Sequence, residues 1–192
     1  MSSSLPPEFE GGVLTTVHQG DCRIAGEAQV ILSTLLGSCI AACVRDRLAG
    51  VGGMNHFLLA EAPGAGRGAV GVSARYGAFA MEQLINGVLS RGTGVKANLE
   101  IKIFGGGRIT PGLDDVGGNN IAFVHQFLKD ERYPIAGEDV GGSFARRVLF
   151  EPFSGRLFVR RLDSTANAGI ALTEQALARR QSAGRPVEIE LF

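Results

Sequence analysis

The sequence predicts a single-domain α+β fold, and three observations lead to that prediction. Short apolar runs separated by turn residues outnumber the segments with helical periodicity. The two kinds of segment do not alternate regularly along the chain, as they would in a doubly wound fold. Glycine contributes 28 of the 192 residues, which indicates many tight turns and close approaches of the backbone.

Composition argues against several classes of protein. The 19 basic side chains balance 19 acidic ones, so no strong field favours nucleic acid or an anionic membrane. Paired arginines such as Arg146–Arg147 are interpreted as solvated strand faces. Three cysteines make a poor disulfide framework, and no segment has the features of a signal peptide or the length of a membrane span. Together these features predict a protein of the reducing cytoplasm.

The strands are predicted mainly in the first third of the chain. Residues 1–11, rich in serine and proline, are expected to be flexible, and residues 12–163 to form the folded domain. Apolar runs bounded by turn residues predict four strands, at Val13–Val17, Ala28–Ser33, Cys39–Val44 and Val51–Leu59. The polar turn Arg45–Arg47 favours antiparallel pairing of the last two.

The middle of the chain predicts a loop, a helix and a strand. The glycine-rich stretch Pro63–Gly71 is expected to be a mobile loop, and its glycines would permit it to close over a substrate. Ser73 can cap a helix that runs to about Ser90. Leu99–Phe104 then alternates as a strand does.

The last third predicts a helix, a hairpin and a separate C-terminal segment. Asn119 or Asn120 caps a helix that must end before Tyr133–Pro134. The apolar runs Val148–Phe150 and Leu157–Val159 flank a turn sequence, which predicts a β-hairpin. Residues 164–192 are expected to form a helix, from about Ala166 to Arg180, and a tail. The end of that tail, Val187–Phe192, is either a docking peptide or an edge strand.

The densest chemical signal is Cys39, followed seventeen residues later by His56. A cysteine is a nucleophile as its thiolate, and an imidazole with a pKa near neutrality is a suitable base to generate it. Gly37 would let the backbone turn sharply and would free the Cys39 amide to bind an oxyanion. A third group usually orients the imidazole, and Ser33 and Thr34 are the nearby hydroxyl candidates.

Three other interpretations compete with this one. Cys39 and His56 are also consistent with ordinary core residues. A zinc site from Cys39, Cys43 and His56 is disfavoured, because strand positions four apart are separated by about 13 Å. The glycine runs at 105–107 and 117–118 do not match a nucleotide-binding loop, and turns at the ends of strands, or backbone packed against the active site, explain them better.

Six motifs, taken in order, resemble those of the CheD chemoreceptor glutamine deamidases over roughly Val13 to Arg161. The motifs are Leu36-Gly37-Ser38-Cys39, Gly52-Gly53-Met54-Asn55-His56-Phe57, Arg75-Tyr76-Gly77, Lys102-Ile103-Phe104-Gly105-Gly106, Gly117 with Asn120, and Asp139-Val140-Gly141-Gly142. The chain departs from the family in lacking the proline that commonly follows the His-Phe segment, since Leu59 is followed by Ala60.

The resemblance implies a fold of packed mixed β-sheets flanked by helices, related to deamidating bacterial toxins. It implies a protein-glutamine glutaminase with Cys39 as nucleophile, His56 as general base and acid, and a hydroxyl six positions before the cysteine, which is Ser33, with Thr34 as the alternate. It implies no metal or organic cofactor. The implied partners are the cytoplasmic helices of methyl-accepting chemoreceptors and the CheC phosphatase. Hydrolysis of glutamyl methyl esters would follow the same chemistry.

Two other functions stay open from the sequence. One is a non-catalytic regulatory module that binds receptors or CheC on the same scaffold. The other is a cysteine hydrolase that acts on a different protein amide. Turnover that depends on Cys39 would distinguish an enzyme from the regulatory module. The identity of the modified protein would distinguish a receptor deamidase from a hydrolase of another protein.

Overall fold

A computed structural model describes residues 5–59, 67–109, 115–162, 169–170 and 172–173 of the chain. Its strands are β1 Val13–Thr16, β2 Cys22–Ala25, β3 Val30–Leu36, β4 Ile40–Asp46, β5 Val51–Asn55, β6 Leu99–Gly105, β7 Ile135–Val140, β8 Arg146–Phe150 and β9 Leu157–Arg161. Its helices are α1 Arg67–Arg91 and α2 Val116–Asp130, and short 3-10 turns lie at Pro7–Phe9 and Lys96–Asn98.

The strands form two mixed sheets. One has four strands in the order β1-β3-β8-β9, and the other has five in the order β2-β5-β4-β6-β7. β1 pairs with β3 in parallel, as β6 does with β7, and the remaining pairs are antiparallel. The predicted α+β class, with mixed sheets flanked by helices, is confirmed.

The five-stranded sheet is covered on both faces, and strand alternation decides which residues face which layer. Even-numbered residues of β4, such as Ile40 and Val44, pack with Leu84 and Val88 of α1 and Leu128 of α2. Odd-numbered Ala41 and Cys43 pack instead with residues of the four-stranded sheet: Leu32, Leu36, Val148 and Phe150. The molecule therefore has three layers, and a buried apolar layer lies between the two sheets.

Several elements differ from the sequence prediction. α1 begins at Arg67, so that 67–71, predicted as part of a loop, are helical, while 60–66 lie outside the described residues. Glycine in a helix costs about 1 kcal/mol per residue and so weakens a helix without forbidding it. Strands β2 and β7 were not predicted. β2 has only four residues, and β7 contains Gly137 and two acidic residues, so neither has a strong strand pattern.

The two ends of the chain are described unequally. Residues 5–11 fold onto the outer face of the four-stranded sheet, where Phe9 packs with Ile31 and Leu149. The helix predicted from Ala166 to Arg180 lies mostly outside the described residues, although 169, 170, 172 and 173 are helical. The tail Val187–Phe192 lies wholly outside them. No helix in the described part of the chain is long and apolar enough to cross a membrane.

A buried carboxylate at the end of β4 ties the sheet to the C-terminus of α1. Asp46 accepts hydrogen bonds from the amides of Leu48, Ala49 and Thr93 and from the Thr93 hydroxyl. Burial by itself raises the pKa of Asp46, but these hydrogen bonds outweigh it and hold the pKa below its ordinary value. The ionised form of Asp46 therefore stabilises the fold.

We expect Asp46→Asn to lower the free energy of unfolding by about 2–3 kcal/mol, because the amide nitrogen would face donors that now point at a carboxylate. Urea denaturation at pH 7 measures this. Exposed Asp130, which accepts a hydrogen bond from Gln126, provides the control, and Asp130→Asn should change stability by less than about 0.5 kcal/mol.

The same variant has a predictable pH dependence. Because the folded-state pKa of Asp46 is lowered, its contribution is complete above the unfolded pKa of about 4 and is lost as the pH falls through the folded value. The stability difference between wild type and Asp46→Asn should therefore narrow below about pH 4. A difference that stays constant down to the acid transition would contradict this account of Asp46.

Candidate active site

Cys39 lies immediately before β4, on the strand face that looks toward the four-stranded sheet, and its side chain is fully buried. β4 and β5 are antiparallel, with Cys43 opposite Met54 and a further bridge between Ile40 and Phe57. Extending that register puts His56 opposite Ala41, one diagonal step from Cys39 on the same face. The sequence prediction that the two residues lie on adjacent antiparallel segments agrees with this pairing.

A hydroxyl from the other sheet orients the His56 ring. The Thr34 Oγ1 atom lies 2.9 Å from His56 Nδ1 and donates its own proton to the Val17 carbonyl at 2.8 Å. A hydroxyl has one proton to donate, so Thr34 must accept from an N–H at Nδ1. In a neutral ring this tautomer makes Nε2 the basic nitrogen. The hydrogen bond thus sets both the orientation and the proton position of the imidazole.

Of the two hydroxyls predicted for this role, it is Thr34 that the structure places against the ring. Thr34 shares the face of β3 that carries Leu32 and Leu36, which pack between the sheets. Ser33 lies on the alternate face with Ile31, which packs in the outer cluster with Phe9. Strand alternation therefore places Thr34, the alternate hydroxyl, against the ring and Ser33 on the other face of β3.

The loop between β1 and β2 forms a second wall of the site. The amide of Gly20 donates to the His56 carbonyl at 2.7 Å, and the His56 amide donates to the Asp21 carbonyl at 3.1 Å. The side chain of Gln19 comes from the same loop, and its Oε1 atom accepts a hydrogen bond from the Cys39 thiol at 3.6 Å. Sequence reasoning missed Gln19, because a polar residue in a turn carries no pattern that would mark it.

The glycine run after β6 packs directly on the Cys39 backbone. The amides of Gly106 and Gly107 donate to the carbonyls of Cys39 and Gly37, at 2.8 and 2.7 Å. Gly105 has a φ of +110°, and a Cβ there would lie 2.1 Å from the Cys39 carbonyl oxygen. Only glycine fits such an approach. The interpretation of this run as backbone packed against the active site, rather than as a nucleotide loop, agrees with these contacts.

Asn120, near the start of α2, links the Cys39 segment to the chain that follows His56. It is fully buried, its Nδ2 atom donates to the Ser38 carbonyl at 2.8 Å, and its Oδ1 atom accepts from the Leu59 amide at 2.9 Å. A side chain that both donates and accepts is required to bridge a carbonyl and an amide in this way. Asn120 therefore fixes the segments that carry Cys39 and His56 relative to each other.

Arg146 is buried beside the segment that binds the glycine run. The interpretation of Arg146–Arg147 as a solvated pair is therefore wrong for Arg146. Its guanidinium is fully buried, and donates to Asp139 Oδ1 at 2.9 and 3.0 Å and to the Gly141 carbonyl. Gly141 in turn donates from its amide to the Gly105 carbonyl at 2.9 Å. Buried charge is tolerated here because it is paired and hydrogen-bonded.

The other cysteines are unsuited to nucleophilic chemistry. Burial raises the pKa of Cys22 to about 11 and raises the pKa of the fully buried Cys43 further. Cys43 lies in β4, four positions along the strand from Cys39. Within the described parts of the chain, no three histidine, cysteine or acidic side chains are grouped as metal ligands would be.

Comparison with known proteins identifies the family to which the chain is similar. The family model for CheD chemotactic sensory transduction matches residues 58–161. A probable chemoreceptor glutamine deamidase CheD 1 of a Ruegeria species is 46% identical over 94% of this chain and 97% of its own length. Probable CheD deamidases of Caulobacter sp. strain K31 and Caulobacter vibrioides are 45% and 50% identical over 95% and 82% of this chain, and over 96% and 82% of their own lengths.

Among solved structures, the likeness is distant. A crystal structure of a Neisseria meningitidis protein aligns with 71% of this chain and 65% of its own, with 12% identity and a TM-score of 0.39. The family model covers more than half of the chain, and the curated relatives cover most of it at high identity. This chain belongs to the CheD family of chemotactic sensory transduction proteins.

Proposed function

We propose that this chain is a chemoreceptor glutamine deamidase, a protein-glutamine glutaminase that converts glutamine side chains of bacterial chemoreceptors into glutamates during chemotaxis. The observation that carries the proposal is the hydrogen bond between Thr34 and His56, because it prepares an imidazole base in the same layer as a buried thiol. Relatives of similar length that bear the name of this activity add support.

In the first half of the proposed reaction, His56 takes the proton of Cys39 through Nε2, the nitrogen that the Thr34 hydrogen bond makes basic. The thiolate then attacks the carboxamide carbon of the substrate glutamine. Collapse of the tetrahedral intermediate breaks the C–N bond and forms a thioester, and the imidazolium returns its proton to the departing ammonia.

In the second half, a water molecule enters the space vacated by ammonia. His56 removes a proton from the water, the hydroxide attacks the thioester, and the receptor glutamate is released as Cys39 recovers its proton. Each step uses the same Nε2 atom, so the tautomer set by Thr34 serves both halves. The same path would cleave a glutamyl methyl ester, with methanol leaving instead of ammonia.

The setting of the enzyme follows from this proposal. Its substrates are the cytoplasmic helices of methyl-accepting chemoreceptors, so we place the protein in the cytoplasm, where three free cysteines stay reduced. We also propose the CheC phosphatase as a partner that binds near the same site. Cys39 and His56 are the proposed catalytic residues, and Thr34, in place of Ser33, is the proposed positioning residue for the His56 ring.

We expect Cys39→Ala to lower the rate of glutamine-to-glutamate conversion by about 10³-fold or more, because no other group in the site can form the thioester. Peptide mass spectrometry of the cognate receptor's cytoplasmic fragment measures the conversion. Cys22→Ala is the matched control and should keep activity within a few-fold of wild type. If the folded wild-type protein binds the receptor normally but leaves it unmodified, the proposed deamidase activity is contradicted and a regulatory module is favoured.

Thr34→Val should lower kcat by roughly 10- to 100-fold, because the variant keeps the shape of the side chain but no longer orients the His56 ring. Thr34→Ser, which restores a hydroxyl, should recover most of the activity, and the thermal midpoints of both variants show whether the fold is intact. Ser33→Ala is the paired test of the alternate hydroxyl and should stay within about threefold of wild type. A greater loss in Ser33→Ala than in Thr34→Val would reverse the assignment.

A further inference from the structure

The side chain that touches the proposed nucleophile is itself a glutamine. Gln19 Oε1 lies 3.6 Å from Cys39 Sγ and accepts the thiol hydrogen bond. A primary carboxamide is also the group that the proposed reaction attacks. The free protein therefore holds, at its reacting sulfur, the same functional group as its proposed substrate.

The Gln19 backbone is fixed where it stands. On its C-terminal side, Gly20 donates to the His56 carbonyl at 2.7 Å. On its N-terminal side, the Val17 carbonyl accepts from Thr34 Oγ1 at 2.8 Å, and the Val17 amide donates to the Ser33 carbonyl. The loop that carries Gln19 is thus pinned by residues on both sides of the site, which keeps the carboxamide near the thiol.

Tyr76 of α1 lies close to the loop that carries Gln19. A side chain added at Gly20 would begin 3.6 Å from the hydroxyl oxygen of Tyr76, so the loop and the α1 residue are close neighbours. Burial, and next the negative charge of a Cys39 thiolate, raise the pKa of Tyr76, which is consistent with a phenol within electrostatic range of the sulfur. Tyr76 is therefore a neighbour both of the loop that carries Gln19 and of the Cys39 sulfur.

The contact has a direct chemical consequence. A thiol carries a single proton, and the proton that Cys39 donates to Gln19 is the one that His56 must remove to form the thiolate. The carbonyl oxygen of Gln19, not its carbon, faces the sulfur as a hydrogen-bond acceptor. This arrangement stabilises the neutral thiol and does not resemble attack on the carbonyl carbon.

We propose that Gln19 is a resident carboxamide that occupies, without reacting, the place of the substrate's glutamine side chain, so that a substrate must displace it. The inference rests on the proposed function for the identity of that substrate. It makes Gln19 a determinant of access and specificity: a side chain that replaces the lost hydrogen bond with a carbonyl acceptor of its own, as a glutamine or a glutamyl methyl ester can, enters at low cost.

The rate at which iodoacetamide alkylates Cys39 tests whether Gln19 occupies the space beside the sulfur, and the assay needs no receptor. The reagent is a small primary amide that reacts with the thiolate, and peptide mapping separates Cys39 from Cys22, which serves as an internal reference in every sample. We expect Gln19→Ala to raise the alkylation rate of Cys39 by roughly 2- to 10-fold, because it removes one hydrogen bond and opens the space beside the sulfur. Gln19→Glu should lower the rate, since a carboxylate beside the sulfur opposes thiolate formation.

Gln29→Ala is the matched control, because Gln29 is exposed and lies outside the site, and it should leave the alkylation rate of Cys39 unchanged.

In the receptor assay, Gln19→Ala should lower KM by a similar factor. An alkylation rate for Gln19→Ala equal to wild type would overturn the proposal, whether or not the protein deamidates receptors. A Cys39-dependent glutamine-to-glutamate mass shift in the wild-type peptide 1–23, which contains Gln19, would also overturn it by showing that the resident carboxamide reacts.

Discussion

The hydrogen bond between Thr34 and His56 joins the two sheets at the point where the chemistry is proposed to occur. Thr34 lies on β3, a central strand of the four-stranded sheet, and His56 follows β5 of the five-stranded sheet. The bond forms only if Thr34 and His56 both point into the buried layer between the sheets, where Cys39 also lies. The packing of Leu32 and Leu36 with Ala41 and Cys43 fixes these orientations, because a register slip of one residue would turn the other face of the strand toward this layer. The same strand register therefore determines both the packing of the core between the sheets and the orientation of the His56 imidazole.

The rest of the molecule holds the Cys39 segment against this layer. The backbone of Gly105–Gly107 binds it from one side, and Asn120 binds the Ser38 carbonyl from the start of α2. Behind the glycines, the ion pair of Arg146 with Asp139 fixes the chain at Gly141. Burying these polar groups costs free energy unless every one is paired, and here the pairing links four segments distant in sequence. A rigid frame of this kind suits a site that must hold reacting atoms within a fraction of an ångström.

Most of the fold and the adjacency of Cys39 and His56 were predictable from the sequence, but the choice between Ser33 and Thr34 was not. β1, β4, β6 and the β8–β9 hairpin carry clear strand and turn patterns. β2 and β7 do not, since one is short and the other is held by parallel pairing with β6. β3 is apolar on both faces, so its sequence does not reveal which of Ser33 and Thr34 points between the sheets. The roles of Gln19 and Arg146 depend on contacts between segments far apart in the chain, which no local pattern encodes.

In the proposed reaction, the Cys39 thiolate, formed by the Thr34-oriented His56, attacks a receptor glutamine to give a thioester. Acid quenching of the protein with a glutamine-containing receptor fragment during turnover, followed by mass spectrometry of the intact protein and its peptides, tests this most directly. The account predicts a transient adduct on Cys39 whose mass equals that of the fragment less ammonia, and a larger fraction of adduct when hydrolysis is slowed. Deamidation that proceeds at the full rate with no adduct on Cys39, or with the adduct on another residue, would contradict it.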